Sequence, residues 1–422
     1  FEGGRDQLFE AERTADEVNE RVFDWLDRRE RPEDRFFLWV HYYDPHDPYD
    51  PPEREGRTLH GDGYDREISY LDHAFGDLLD RLRDDGLLER TILVVVGDHG
   101  ESLGEHDERT HGIFLYESAL RVPFFLRAPG LVPEGGRVGG PVELVDVGPT
   151  ILDLLELEPF ANAEGRSLLP RIRGDDDGAS AIAHAESLMS RIEFGWAELR
   201  AVHDGRFKYI EAPTPEMYDV VEDPGETVNL APNDPERAGE LAALLAAWRS
   251  ATESDSGPAA ATREMTAEEL ARLQSLGYMQ GGVAADDGDG QRPDPKDRIG
   301  ELRALDDARD AFADGRWSEA LAGVDRILEA NPDNHNARST RIAVLIELGR
   351  LADAEQEARA GLTLASTGDG AQPSVARKMQ RFVGVTLRLQ GRIDEAEDVY
   401  AEMIEADPDD DLAPVDLGRM LA

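Results

Sequence analysis

The sequence predicts an α/β domain with a small antiparallel subdomain, followed by an all-α domain. Two unbroken apolar runs, "RFFLWVHYY" (35–43) and "ILVVV" (92–96), read as strands of the kind buried in parallel sheets. Helical periodicity alternates with these strands, which is the α/β signature. Residues 180–230 are strand-like and rich in turns, whereas the pattern after residue 298 is purely helical.

The individual elements follow in order along the first 250 residues. Residues 14–30 and 66–84 carry apolar side chains at helical spacing, including Val22 and Leu26 in the first and Leu78 and Leu82 in the second. The four prolines of "DPHDPYDPP" (44–52) force an extended loop. Further on we predict a strand in "RVPFFLRAPG" (121–130), a helix beginning near Pro149, and a helix over 233–250.

The last part of the chain contains a repeat. "GRWSEA", "GRLADA" and "GRIDEA" begin at Gly315, Gly349 and Gly391, so the spacings are 34 and 42 residues. The excess of eight matches the insert "STGDGAQP" (366–373), and Pro332 and Pro408 each lie 17 residues after a repeat glycine. These features resemble tetratricopeptide repeats, which are helix–turn–helix units of 34 residues.

Composition divides the chain into three parts. We predict a catalytic portion over residues 1–250, a linker over 251–297 that includes a short helix at 264–279, and a repeat domain over 298–422. The linker composition between 279 and 297, rich in glycine, proline and aspartate, also predicts that the repeats fold separately.

The overall charge excludes some functions. Acidic residues outnumber basic ones 90 to 45, for a net charge of -45, which argues against nucleic-acid binding. The basic residues include three lysines, which leaves 42 arginines. Salt adaptation and a GC-rich genome both account for this bias. The chain has no cysteine, so it has neither disulfides nor thiolate chemistry, and no stretch approaches the ~18 apolar residues of a membrane helix.

The stretch "ILVVVGDHGESLGEH" (92–106) runs from a strand directly into polar residues. Ligands gather beyond the carboxyl ends of strands in α/β sheets, so Asp98 and His99 are candidates to bind a metal or an anion. A carboxylate beside an imidazole suits a divalent cation such as Ca²⁺ or Mg²⁺. A polar turn that caps a helix is an equally good interpretation of the pair alone. His46 and His111, each more often structural when single, also fall in loops near predicted strands.

A set of motifs in a fixed order decides between these interpretations. "HYYDPHDPYDPP", "VVVGDHGESLGEH", "LYESALRVP", "VELVDVGPTILDLL", "EGRSLLP" and "GRFKYIEAPTPEMYDVVEDPGETVNLA" resemble sulfatases of the alkaline phosphatase superfamily over residues 1 to about 232. The resemblance implies part of an α/β/α sandwich with a small antiparallel C-terminal subdomain. It also implies that Asp98 and His99 bind one divalent metal, Ca²⁺ or a similar ion, and that His46 contacts the sulfate or the leaving oxygen. His111 stands where many sulfatases carry a lysine.

The resemblance also implies parts that these residues lack. The family uses a formylglycine made from Cys or Ser in C/S-x-P-x-R, together with an Asp-Asp metal pair, and neither motif is present. We therefore expect the nucleophile upstream of Phe1, and we expect this chain alone to be inactive. The leading function is hydrolysis of a sulfate ester on a small molecule or glycan, with a protein partner on the repeats and export to the periplasm or cell surface.

Two alternatives stay open at this point. Phosphodiesterases and phosphonate monoester hydrolases of the same superfamily share "DHGE", so phosphoryl transfer is the nearest enzymatic alternative. A non-catalytic scaffold, in which the repeats recruit a partner, is the alternative from a different class.

Overall fold

The computed structural model describes residues 13–31, 33–47, 49–54, 56–160, 163–176, 181–255, 292–366, 373–406 and 417. These residues form two compact units. The first contains Phe1–Val96 and Pro123–Gly136, and the second contains Gly97–Val122 and Arg137–Ala422. The predicted linker helix at 264–279, most of the insert at 366–373, and Pro408 lie outside the described residues.

The first unit is built from two helices and a short sheet. Helix α1 (Ala15–Asp27) begins at a capping box in which Thr14 and Glu17 bond to each other's backbone N–H. Helix α2 spans Tyr64–Asp84, and a 3₁₀ turn spans Leu88–Arg90. The two helices and the turn share one apolar cluster, formed by Val22, Leu26, Leu78, Leu82, Leu87 and Leu88. The helical periodicity of the sequence therefore predicted both helices.

The strands of the first unit differ from the prediction. Strand β1 (Leu93–Val96) pairs with β2 (Phe124–Arg127), and the pairing is antiparallel. Residue Val96 is 39% exposed, so β1 is not buried on both faces. The expectation of a parallel, doubly covered sheet is wrong for the residues that the structure describes. A continuous apolar run does not reveal strand direction, which is why the sequence misled here.

The prediction of a strand over residues 35–43 is also wrong. This stretch has no strand assignment in the structure. Its side chains nevertheless alternate, because Phe36, Leu38 and Val40 pack on the α1–α2 cluster while Phe37 and Trp39 are each 79% exposed. Alternation gives the side chains of a strand, but a strand also needs a hydrogen-bonded neighbour, and none of the described strands pairs with this stretch.

The second unit contains the predicted antiparallel subdomain. Strands β3 (Ala183–Ser187), β4 (Leu199–His203), β5 (Phe207–Glu211) and β6 (Glu216–Asp219) form one sheet in that order. Helix α7 (Pro235–Asp255) covers one face of it. The opposite face packs on residues 113–116. Both faces of the sheet are therefore buried. The contact on the second face fixes the position of residues 113–116, which directly follow the loop over 97–112.

Short helices connect these parts. They are α3 (Glu117–Leu120), α4 (Val147–Leu154), α5 (Leu169–Arg173) and α6 (Met189–Phe194), with 3₁₀ turns at Glu105–Asp107 and Leu144–Asp146. Helix α4 matches the helix predicted near Pro149.

The C-terminal region forms three helical hairpins. They pair α8 (Pro295–Ala313) with α9 (Trp317–Ala330), α10 (His335–Glu347) with α11 (Leu351–Ser366), and α12 (Pro373–Leu389) with α13 (Ile393–Ala406). The three repeat glycines occupy the turns with φ of +74°, +70° and +77°, a backbone conformation that favours glycine. The predicted helix–turn–helix pattern is confirmed; its identity as tetratricopeptide repeats stays a prediction.

The first hairpin packs on the antiparallel sheet. Ile299 belongs to the same apolar cluster as Leu199, Ile210 and Tyr218. The Ala197 N–H donates to the carbonyl of Pro293 at 2.9 Å, and Lys296 forms an ion pair with Glu216. The predicted domain limits stay predictions, but packing in this unit crosses residue 298. In the part of the chain that is described, no helix is long and apolar enough to cross a membrane.

Candidate active site

The polar loop after β1 spans residues 97–112 and is fixed by a close backbone approach to α3. The Gly100 N–H donates to the carbonyl of Ala119 at 2.7 Å. A Cβ atom at residue 100 would lie 2.2 Å from the carbonyl oxygen of Ser118, so only glycine fits there. This approach sets the backbone that carries Asp98, His99 and Glu101.

Asp98 and His99 form a local pair with a defined ring orientation. The His99 N–H donates to Asp98 Oδ1 at 3.0 Å, and His99 Nε2 lies 3.8 Å from Asp98 Oδ2. The Nδ1–H of His99 donates to the carbonyl of Gly100 at 2.9 Å. Since a carbonyl only accepts, Nδ1 carries the proton and Nε2 presents its lone pair. This is the arrangement by which backbone carbonyls orient metal-binding histidines.

His111 joins this pair. Its ring centroid lies 3.9 Å from that of His99, with 32° between the ring planes. Its Nδ1–H donates to Glu101 Oε1 at 3.0 Å, and the Glu101 side chain is only 4% exposed. Burial disfavours the imidazolium of His111, but the carboxylates of Glu101, Glu108 and Asp98 outweigh it and raise the pKa of His111. The structure therefore brings together three of the four predicted residues and adds Glu101.

Glu108 organises the loop from inside. Its carboxylate is 1% exposed and accepts the N–H groups of Ile113 at 2.8 Å and Phe114 at 3.3 Å. Ser102 donates to the same side chain at 3.5 Å. Burial raises the pKa of Glu108 to about 7, although the two N–H bonds favour the charged form. Glu108 could not be singled out from the sequence, because a glutamate in a polar loop normally has an exposed side chain.

His106 is a structural histidine in the same loop. Its ring stacks on Tyr116 with centroids 3.5 Å apart, and its Nε2–H donates to the carbonyl of Gly225 at 3.2 Å. Burial lowers its pKa. Both His106 and Asp107 have positive φ, at 52° and 66°. Asp107 and Arg109 bind Arg303 and Asp307 of α8 at 2.5 and 2.7 Å, so the first hairpin also contacts this loop.

His46 lies in the first unit and is distant in sequence from Asp98, His99 and His111. Its Nδ1–H donates to the carbonyl of Asp47 at 2.8 Å, and Tyr43 Oη lies 3.2 Å from Nε2. Two carboxyl groups lie buried near this loop: desolvation and mutual repulsion raise the pKa of Glu67 to about 7, and desolvation also raises the pKa of Asp44. The expectation that His46 meets Asp98, His99 and His111 at one sheet edge stays a prediction.

The donor set fits part of a metal site. Among the described residues no group of three or more His, Asp or Glu side chains could hold a metal ion. Asp98 supplies one hard oxygen and His99 supplies one nitrogen, which makes two ligands. A Ca²⁺ ion takes 6–8 ligands and prefers oxygen. The two side chains therefore fit two ligand positions of a divalent cation, and further ligands have to complete the site.

The first part of the chain is similar to two known protein families. The sulfatase family model matches residues 8–157, and the model for the C-terminal part of N-sulphoglucosamine sulphohydrolase matches residues 104–247. The first 250 residues or so match the sulfatase family. We refer to residues 8–247 as the sulfatase-like region; the loop with Asp98, His99 and His111 lies within it.

Two curated sulfatases agree with this match. A choline-sulfatase of Rhizobium meliloti is 33% identical over 177 residues, which is 40% of this chain and 33% of the relative. An arylsulfatase of Clostridium perfringens is 29% identical over 259 residues, 50% of this chain and 52% of the relative. A solved putative sulfatase of Bacteroides fragilis is 19% identical, with a TM-score of 0.48 over 56% of this chain and 58% of that chain. The chain spans about a third to a half of the curated relatives it matches.

Proposed function

We propose that the protein hydrolyses sulfate esters. The observation that carries this proposal is the cluster of Asp98, His99, Glu101 and His111 on one loop of the sulfatase-like region. We assign Asp98 and His99 as two ligands of one divalent cation, with Ca²⁺ as the proposed ion. When bound, such an ion polarises the sulfate oxygens and lowers the pKa of a nucleophile.

The residues of this chain would bind and orient the ester. Glu101 holds Nδ1 of His111 and so fixes the direction of the ring. We propose that His111 and His46 contact the anionic oxygens of the sulfate, or give a proton to the departing alcohol. A histidine gives up a proton near neutral pH more readily than a lysine, because its unperturbed pKa is about 6.5.

Several finer features belong to the same proposal. We propose a formylglycine nucleophile from outside these 422 residues, because they contain no cysteine and no Ser-x-Pro-x-Arg. The proposed substrate is a sulfated small molecule or glycan, and this chain alone would be inactive. We also propose that the three hairpins are tetratricopeptide repeats that bind a protein partner, and that the protein is exported.

The coding sequence upstream of Phe1 provides the first test. A C/S-x-P-x-R motif supports the sulfatase, a single Thr or Ser nucleophile supports phosphoryl transfer, and neither supports the non-catalytic scaffold. The protein with that upstream part should then be assayed in high salt on an aryl sulfate, an aryl phosphodiester and a phosphonate monoester. Faster turnover of either phosphorus ester than of the sulfate would contradict the proposal.

A variant of the loop tests the metal assignment. Asp98→Asn keeps the size of the side chain and its acceptor for the His99 N–H but removes the charge that a cation needs. We expect turnover to fall at least about a hundredfold and Ca²⁺ binding by calorimetry to weaken. The exposed Glu105 on the same loop gives the control Glu105→Gln. Wild-type turnover and Ca²⁺ affinity in Asp98→Asn would remove Asp98 from the site.

A further inference from the structure

Helix α6 contacts the His111 loop at its N-terminal side. The Ser187 hydroxyl, at the end of β3, donates to the carbonyl of Gly112. Gly112 has φ of +105°, and a Cβ there would lie 2.5 Å from the sulfur of Met189. The chain that enters α6 therefore packs directly on the residue after His111.

The other end of α6 contacts the helical hairpins. Asn336, in the first turn of α10 and 7% exposed, donates its amide to the backbone carbonyl of Glu193 and to the Glu193 carboxylate, each at 3.2 Å. Phe194 packs on the apolar cluster between α8, α9 and α10 and also on the cluster of the antiparallel sheet. Its ring stacks on the buried Trp196 with centroids 4.6 Å apart. Glu193 therefore anchors α6 to the hairpins through polar contacts, and Phe194 anchors it through apolar contacts.

The surface that receives Glu193 is cationic, which is unusual in a chain of net charge -45. Arg309 of α8, whose side chain is 45% exposed, and the half-buried Lys378 of α12 interact electrostatically with Glu193. Desolvation lowers the pKa of Lys378, and the negative charge of Glu193 counteracts that effect. Arg309 also lies 3.7 Å from Asp306. Cations from two different hairpins therefore attract the same carboxylate.

We propose that Asn336 forms an internal docking site for Glu193, and that this docking holds the His111 loop in place through α6. Glu193 and Asn336 are positioning residues in this scheme. A protein that binds the hairpins on the same surface would have to displace Glu193, which would loosen the packing of Met189 on Gly112. The hairpins would then report partner binding to the loop of the candidate site.

Hydrogen exchange of the full chain, measured by mass spectrometry in high salt, tests this without any enzymatic assay. Asn336→Asp places a second carboxylate against Glu193, and we expect the amides of residues 112–116 to exchange at least about tenfold faster. Glu193→Gln removes the repelling charge but keeps an acceptor and adds a donor. The double variant Asn336→Asp with Glu193→Gln should return to within about threefold of the wild-type rate. Glu329→Gln, an exposed change on α9, is the control and should match the wild type.

Two results would overturn the proposal. The coupling is wrong if Asn336→Asp accelerates exchange only in residues 335–347 and leaves 112–116 unchanged. A merely structural role is indicated instead if exchange rises equally across the second unit and the double variant does not restore it. Because the readout is exchange, failure of this proposal and failure of the proposed sulfatase activity are separate results.

Discussion

The buried carboxyl of Glu108 makes the stability of the loop depend on pH. Its pKa rises from 4.5 to about 7 through burial, so between these values the folded protein holds a proton that the unfolded chain releases. Glu108 therefore contributes full stability below pH 4.5 and loses it as the pH rises to about 7. At 1.36 kcal/mol per pKa unit, the loss is about 3 kcal/mol.

Glu108→Gln tests this reasoning. Glutamine keeps an oxygen for the N–H groups of Ile113 and Phe114, and its amide can donate to Ser102. We expect the variant to resemble wild type at pH 5 and to be more stable at pH 8 by up to about 3 kcal/mol. The measurement is urea unfolding followed by circular dichroism in 1 M NaCl. Glu105→Gln, the same change at an exposed site of this loop, should show no such gain.

One outcome would refute the argument about Glu108. If Glu108→Gln is destabilised at pH 8 as much as at pH 5, the two backbone N–H groups need the charged carboxylate, and hydrogen bonding outweighs desolvation. Other acids, such as the buried Glu67 and the half-buried Asp306, have pKa values raised mainly by desolvation to about 7 and about 6, and they also affect the wild-type pH profile. They cancel in the difference between wild type and variant.

Three further predictions follow from the same contacts. Gly112→Ala should lower the free energy of unfolding in urea by about 1–3 kcal/mol, because residue 112 has a positive φ and its new Cβ would meet the sulfur of Met189. Gly136→Ala serves as the control, because its new Cβ would meet only a carbonyl oxygen at 3.8 Å. The 422-residue chain should show no aryl-sulfate turnover with Ca²⁺; turnover of about 1 per second or more would force a different nucleophile. Limited proteolysis should cut first in the linker predicted between 279 and 297 from its composition, and the two pieces should still co-elute through the Ile299 cluster; separate elution would contradict this packing.

The sequence predicted local elements better than their partners. Helical spacing identified α1 and α2, because it depends on residues three or four apart, and the repeat identified the hairpins. The strand at 35–43 failed for the opposite reason, since its fate depends on a neighbour that no local pattern specifies. In the site, Asp98 and His99 are adjacent in sequence and were found, whereas the support of His111 by Glu101 depends on how ten residues of loop fold back.

The positions of the three lysines show how the hairpins join the sheet. Lys208 is 1% exposed and binds Glu117 at 3.1 Å and Glu226 at 2.5 Å. Lys296 pairs with Glu216 of the sheet and with Asp294 at 3.1 Å. Lys378 of α12 is half-buried, and the negative charge of Glu193 acts on it.

The sites of Lys208 and Lys296 share a physical requirement. An ammonium group is a compact point charge with donors in several directions, so it can satisfy carboxylates that converge from different elements. Arginine supplies the other 42 basic residues of the chain. Two of the three lysines lie where the hairpins meet the rest of the second unit. The interior of that junction is therefore charged and specific, and charge reversal at Lys296 should weaken it more than loss of any exposed arginine pair.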